Sequence, residues 1–341
     1  MGKNKKGKRK KWPIAVIVIL AILIGGVSAA CFYAQSELNK ISRNETKETV
    51  KPEDEYFETN EEEGDDPHTT MNPEDLKWPE GGDIMKDKDI MNIMLIGQDK
   101  RPGENRARSD SMMILTVNKR NKKVKITSLM RDMYLQIPGY SDNRINASYA
   151  FGGMKLLDAT VEKNLLVKID GNVEVDFDGF QKVIDKIGGV DIDINAKEAA
   201  HLKGQGFSGL SEGKAHMDGK LALAYSRIRK VGNSDFERTQ RQRNVMLSAF
   251  QKVKTLGLPE LTNMVDALFP YISTDLTNNE MISLVYNVFR FHPEKIEENR
   301  IPLDGTYESA WIRKMLVMVP DLPKNREALQ AIIFEDSSKA K

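Results

Sequence analysis

The 341-residue sequence predicts an α/β domain with a mixed central sheet covered by helices on both faces, preceded by one transmembrane helix and a disordered linker. Three observations predict it: short apolar runs of strand length beginning near residue 90, helical periodicity that dominates after residue 147, and an uncharged run from Pro13 to Tyr33.

The run IMNIMLIG at 90–97 has the length of a buried strand, and a second follows in SMMILTVN at 111–118. A third, VKITSLM at 124–130, is joined to the second by KRNKK, a polar loop short enough to force an antiparallel pair. Helices are expected over about 147–164, 177–187, 218–226, 238–254 and 279–291, with strands near 173–176, 190–194 and 296–302 between them. Gly188 and Gly189 supply a helix stop before VDIDI. No internal repeat is visible.

Residues 13–33 are rich in Ile, Val, Leu and Ala and, as a helix rising about 1.5 Å per residue, match the thickness of a bilayer core. Seven Lys or Arg among the first eleven residues place segment 1–12 in the cytoplasm and all that follows the span outside it. Ser28, Ala29 and Ala30 leave a cleaved signal peptide as the competing reading. Residues 34–85 are acidic: fourteen Asp or Glu stand against three Lys between Asn44 and Glu80. With few large apolar residues, this stretch reads as a flexible extracytoplasmic linker. The folded domain is placed at 86–325, with its motif-bearing core at 91–255 and a C-terminal tail at 326–341.

The lone cysteine, Cys31, excludes an intramolecular disulfide and a cysteine-based zinc site. HExxH, GxSxG and P-loop motifs are absent, and His68, His201, His216 and His292 are scattered, which sets aside zincin, serine-hydrolase and nucleotide-triphosphatase chemistry. A location outside the membrane argues against a nucleic-acid partner for the basic residues.

If the first three strands form a meander, Asp99 and Asp110 fall at one end of the sheet, and Arg131 and Asp132 arrive there from the third strand. The loop between the first two adds Arg101, Arg106 and Arg108. The helix near Asp235 carries an apolar stripe through Val245, Met246, Ala249, Phe250 and Val253, whose backward continuation meets Arg238, Arg241 and Gln242. Cations in the first turns oppose the helix macrodipole unless an anion offsets them, so this N-terminus suits phosphate. A local ion-pair network of Asp235 and Glu237 with the arginines is the competing reading. Ser234 or Asp235 can cap the helix, with Glu237 closing a capping box on Ser234. Just upstream, Arg227 and Arg229 are expected in irregular or extended chain, sharing one face as a fork for phosphate oxygens. Acids crowded beside a polyanion need a hard cation between them, and Asp99 and Asp110 are the candidates to hold it.

Seven stretches together resemble the LytR-CpsA-Psr family of cell-wall assembly proteins: LIGQDKR at 95–101, RSDSMMILTVN at 108–118, SLMRDMYLQIP at 128–138, INASYAFGG at 145–153, IDKIGGVDIDI at 184–194, LALAYSRIRK at 221–230 and DFERTQRQR at 235–243. The resemblance implies a three-layer α/β/α domain that binds a polyprenyl pyrophosphate, with Mg²⁺ or Mn²⁺ held by Asp99 and Asp110. It implies head-group binding by Arg101, Arg108, Arg131, Arg227, Arg229, Arg238, Arg241 and Gln242. The implied activity is phosphodiester transfer of an anionic glycopolymer, such as wall teichoic acid or capsule, from that carrier to peptidoglycan at the cytoplasmic membrane. Arg131, Asp132, Asp235 and Arg238 are the candidate catalytic residues, Asp132 or Asp235 serving as general base. The alternatives are a hydrolase of lipid-linked pyrophosphates and a non-enzymatic wall-binding or signalling module.

Overall fold

The computed structural model describes residues 49–60, 68–98, 109–232, 234–254, 271–291 and 296–335. Their strands are β1 (Thr69–Thr70), β2 (Ile90–Gln98), β3 (Ser109–Asn118), β4 (Lys123–Leu129), β5 (Tyr134–Leu135), β6 (Asn143–Arg144), β7 (Gly171–Asp176), β8 (Val190–Ile194), β9 (Gly213–Met217), β10 (Ile272–Thr274), β11 (Glu297–Ile301), β12 (Tyr307–Ile312) and β13 (Met315–Pro320). The helices are α1 (Ile145–Leu165), α2 (Phe177–Lys186), α3 (Ala196–Gly204), α4 (Gly219–Ser226), α5 (Ser234–Lys254), α6 (Asn278–Phe291) and α7 (Leu322–Phe334).

The central sheet has the order β10-β7-β2-β3-β4-β11. The expected β2-β3-β4 meander is antiparallel, whereas β7 joins β2 and β11 joins β4 in parallel. Side chains alternate across the sheet with period two. Met94, Ile96, Met112 and Ile114 pack towards Tyr149, Leu157 and Val161 of α1 and Leu329 and Ile333 of α7. The odd-numbered Ile93, Leu95, Met113 and Val117 face the opposite layer, built from α5 and α6. Burial on both faces explains why β2 is an unbroken apolar run rather than an alternating one.

Two expected boundaries are corrected. Residues 49–60 and 68–85, expected as flexible linker, lie against the domain. The Val50 amide donates to the Phe151 carbonyl at 2.8 Å, β1 pairs in parallel with β12, and Trp78 stacks on Tyr134 while its Nε1 donates to Asp142 at 2.8 Å. The sparse apolar residues Phe57, Met71, Leu76 and Trp78 fill a surface made by β5, β12 and β13. Composition alone misses this because the complementary surface comes from distant chain. The expected tail from 326 onwards is likewise part of the fold as far as Phe334, since α7 buries Leu329, Ile333 and Phe334. The β12–β13 hairpin carried no turn signal because Arg313 and Lys314, not glycine or asparagine, take the positive φ angles of 49° and 60°. The short α3, fixed by an Asn195–Glu198 capping box, and β9 were also unassigned. Among the described residues no helix is long and apolar enough to cross a membrane, and the expected span at 13–33 lies outside them.

Candidate active site

A cavity of about 710 Å³ opens between the sheet, α2, α4 and α5. Leu95, Met113, Val175, Phe177, Phe180 and Met246 form its apolar walls. Asp110, Arg131, Arg227, Arg229, Arg238 and Gln242 form its polar side. The space therefore joins a surface suited to hydrocarbon with one suited to an anion.

Asp110 reaches the cavity through a β-bulge. Gly97 pairs with Ser111 but Gln98 pairs with Ser109, so Asp110 is the extra residue between them. Its even-numbered neighbours Met112 and Ile114 face α1, and the inserted residue turns Asp110 to the opposite side. Arg131 follows β4 at the same sheet end, and its NH1 donates to Asp110 Oδ1 at 2.9 Å. Arg227 caps α4 and lies over the Phe177 ring at 4.4 Å, in the irregular chain expected for the Arg227–Arg229 fork. Arg229 stands 4.0 Å from Asp110 and 3.7 Å from Asp235.

The apolar stripe of α5 proves to be two parallel i, i+4 rows. Arg238, Gln242, Met246 and Phe250 run along the cavity and the sheet. Arg241, Val245, Ala249 and Val253 run along the separate core of β8, β9, α3 and α4. Assignment of Arg241 to the phosphate site is thus corrected: its Nε donates to Glu198 and its NH2 to Glu237, both at 2.6 Å, and the Ile228 and Val231 carbonyls each accept at 3.0 Å. Glu237 is accordingly occupied with Arg241. Gly232, at φ +77°, leaves room for that carboxylate, which a Cβ there would meet at about 2 Å. For these two residues the ion-pair reading holds.

Arg238 is bound differently. It is 3 % exposed and lies 2.6 Å from Asp235, yet none of its three nitrogens has a hydrogen-bond partner among the described residues. Burial, and then the neighbouring Arg131, pull its pKa down to about 10 despite Asp235. Burial also acts on Arg131, but Asp132, Asp235 and Asp110 outweigh it and raise its pKa. Asp132 sits behind the lining, 3.5 Å from Arg131 and 3.4 Å from Arg144, and burial raises its pKa. Burial acts the same way on Asp235, but Arg238, Arg131 and Arg229 outweigh it and lower its pKa. Neither Asp132 nor Asp235 is among the lining residues, but each is ion-paired with an arginine that is.

Asp99, Arg101, Arg106 and Arg108 lie outside the described residues. Among those described, no group of three or more His, Cys, Asp or Glu is assembled for a metal. Asp110 alone still fits the mode in which Mg²⁺ takes one or two carboxylates and completes its shell with substrate phosphate oxygens. Sequence reasoning missed Arg144, Tyr56, Glu58 and Ser111. Arg144 belongs to the short β6 and is recruited by Asp132 only through tertiary packing. Tyr56 and Glu58 had been assigned to the linker.

Comparison with known proteins agrees with this architecture. Over 218 residues, 63 % of this chain and 69 % of the relative, the sequence is 37 % identical to the polyisoprenyl-teichoic acid–peptidoglycan teichoic acid transferase TagU of Bacillus mycoides. The fold matches a structure of TagT bound to LI-WTA with a TM-score of 0.61 at 27 % identity, covering 72 % of this chain and 92 % of the other. It also matches a LytR-CPS2A-psr family protein, YwtF (TagT), with bound octaprenyl pyrophosphate lipid, with a TM-score of 0.57 at 25 % identity, covering 72 % and 91 %. The LytR_cpsA_psr family matches residues 41–330. A match of that extent shows that the chain belongs to the LytR_cpsA_psr family.

Proposed function

We propose that the protein is a glycopolymer–peptidoglycan phosphotransferase, moving an anionic polymer of the wall teichoic acid class from a polyprenyl-pyrophosphate carrier onto peptidoglycan. Residues 13–33 anchor it in the cytoplasmic membrane with the domain outside. One observation carries the reading: a single cavity joins apolar walls to four converging arginines, Arg131, Arg227, Arg229 and Arg238. Relatives described as a teichoic acid transferase, and as bound to octaprenyl pyrophosphate lipid, support the same chemistry.

In this reading Phe177, Phe180, Leu223 and Met246 receive the prenyl chain and leave the pyrophosphate beside the arginines. A sugar hydroxyl of peptidoglycan forms a bond to the glycan-proximal phosphorus while the bond to the lipid phosphate breaks, and the hydroxyl proton leaves with the departing polyprenyl phosphate. Charge develops on the phosphoryl oxygens and on the departing polyprenyl phosphate, and preorganised guanidinium groups in a site shielded from water stabilise it. Arg238 suits this role because its guanidinium is buried and, beyond its ion pair with Asp235, makes no hydrogen bond among the described residues, so desolvation has occurred before the substrate arrives. Asp132 and Asp235 act as positioning residues, holding Arg131 and Arg238 by charge. A divalent cation held by Asp110, with Asp99 as a second ligand, would neutralise phosphate charge when bound.

Arg131→Ala and Arg238→Ala should each lower the transfer rate by roughly 10²–10³-fold, the scale for loss of one such donor, while the fold is retained. The assay uses purified lipid-linked donor and peptidoglycan, with circular dichroism as the control for folding. Full transfer by both variants would refute the site. Free polymer released in the presence of acceptor would identify a hydrolase instead.

A further inference from the structure

The cavity has a wall that the phosphate and lipid do not account for. Residues 55–58 pass along its rim without regular secondary structure, and their burial alternates, Glu55 and Phe57 being partly buried and Tyr56 and Glu58 exposed. Glu55 and Phe57 turn inwards. Ser141 N and Oγ donate to Glu55 at 2.9 and 2.6 Å, and Phe57 lies beneath the Arg313 guanidinium at 4.6 Å. Tyr56 and Glu58 turn the other way and line the cavity alongside Arg131 and Asp110. Further anchors fix this segment: Asn143 Nδ2 donates to the Tyr56 carbonyl at 3.3 Å, and the Asn60 amide donates to the Lys314 carbonyl at 2.8 Å.

Neither residue suits the phosphate or the lipid. Glu58, which lies 3.6 Å from Arg144, would repel a pyrophosphate. Tyr56 is 45 % exposed, too wet for a prenyl-chain wall, and its ring is braced edge-on by Phe151 at 5.2 Å. An exposed aromatic ring beside an acceptor-only carboxylate is the pairing that recognises a sugar, with an apolar ring face for C–H groups and oxygens for hydroxyls. The apolar walls contributed by α2, α4 and α5 lie on other elements, so Tyr56 and Glu58 share the cavity with the arginines but belong to a separate wall.

We propose that Tyr56 and Glu58 form the carbohydrate-binding wall of the transfer site and hold a pyranose next to the transferred phosphate. This rests on the function proposed above and adds a substrate determinant to it. The pyranose belongs either to the phosphate-proximal sugar of the donor or to the peptidoglycan acceptor.

The test measures three affinities with the full chain in detergent: sugar-free octaprenyl pyrophosphate, the sugar-bearing lipid-linked donor, and a soluble peptidoglycan fragment. Tyr56→Ala and Glu58→Gln should leave sugar-free lipid binding unchanged. They should weaken the donor about 5–10-fold if its sugar is held, or the fragment by that factor if the acceptor is, and Tyr56→Phe should retain binding. Unchanged affinity for both glycans, or an equal loss for the sugar-free lipid, would overturn the proposal. These readouts need no turnover, so a wild-type protein that binds all three but transfers nothing would defeat the proposed function and leave the sugar wall intact.

Discussion

Two arginines of α5, less than one turn apart, almost equally buried and each ion-paired at 2.6 Å with an acid of the same helix, differ in their hydrogen bonds. Arg241 makes four hydrogen bonds, to Glu198, Glu237 and the carbonyls of Ile228 and Val231. Arg238 makes none among the described residues and has its pKa pulled down to about 10. A buried cation with saturated donors belongs to the fold, because its neighbours have already replaced the water it lost. A buried cation held by the charge of one acid, with no hydrogen bond to its nitrogens, keeps donors available for an anion that enters. The difference separates structural from functional arginine more sharply than burial does.

The largest effect should come from Arg241→Met. Removing one partner leaves Glu198 as a buried charge without its cation, at about 3–5 kcal/mol in unfolding free energy, read from denaturant midpoints. Arg238→Met should cost less than Arg241→Met, since it removes one ion pair, to the part-exposed Asp235, and no hydrogen bond. Equal losses in the two variants would erase the distinction. Sugar-free octaprenyl pyrophosphate at 100 times its Kd should stabilise the wild-type protein by about 2.7 kcal/mol, seen as a higher Tm. At the same ligand concentration the shift should shrink in Arg238→Met and persist in a milder Arg241→Lys protein.

A smaller effect concerns a buried acid remote from the cavity. Burial pushes the Asp158 carboxyl up to about 7, although Asn172 Nδ2 donates to it at 2.7 Å, and the nearby Asp275 adds to the rise. The folded state keeps a proton there that the unfolded chain releases near its ordinary value of 3.8. Stability contributed by this group is therefore complete in acid and is lost as pH rises through about 7. Asp158→Asn should flatten the dependence of the denaturant midpoint between pH 5 and pH 8, and an unaltered slope would exclude Asp158 as its source.

Much of the sheet was readable from local pattern. β2, β3 and β4 follow from apolar runs and a short loop, and that meander brings Asp110 and Arg131 to one sheet end. The stripe on α5 was also visible, but i, i+3, i+4 spacing cannot tell one broad apolar face from two rows served by different cores. Arg238 and Arg241 were merged for that reason. The packed segment at 49–60 was misassigned because its few apolar residues gain burial only from β5, β12 and β13, far along the chain.

By itself the amino-acid order determined the periodicities, and hence the layers, the meander and which residue types arrive at its edge, because these depend on neighbours a few positions apart. Tertiary structure alone decided which guanidinium groups are saturated by hydrogen bonds and which are held by charge alone. It also decided that a bulge turns Asp110 into the cavity, and that Tyr56 and Glu58 stand at its rim. Hydrogen-bond saturation and cavity lining depend on groups brought together from separate parts of the chain, so they exist only once the chain has folded.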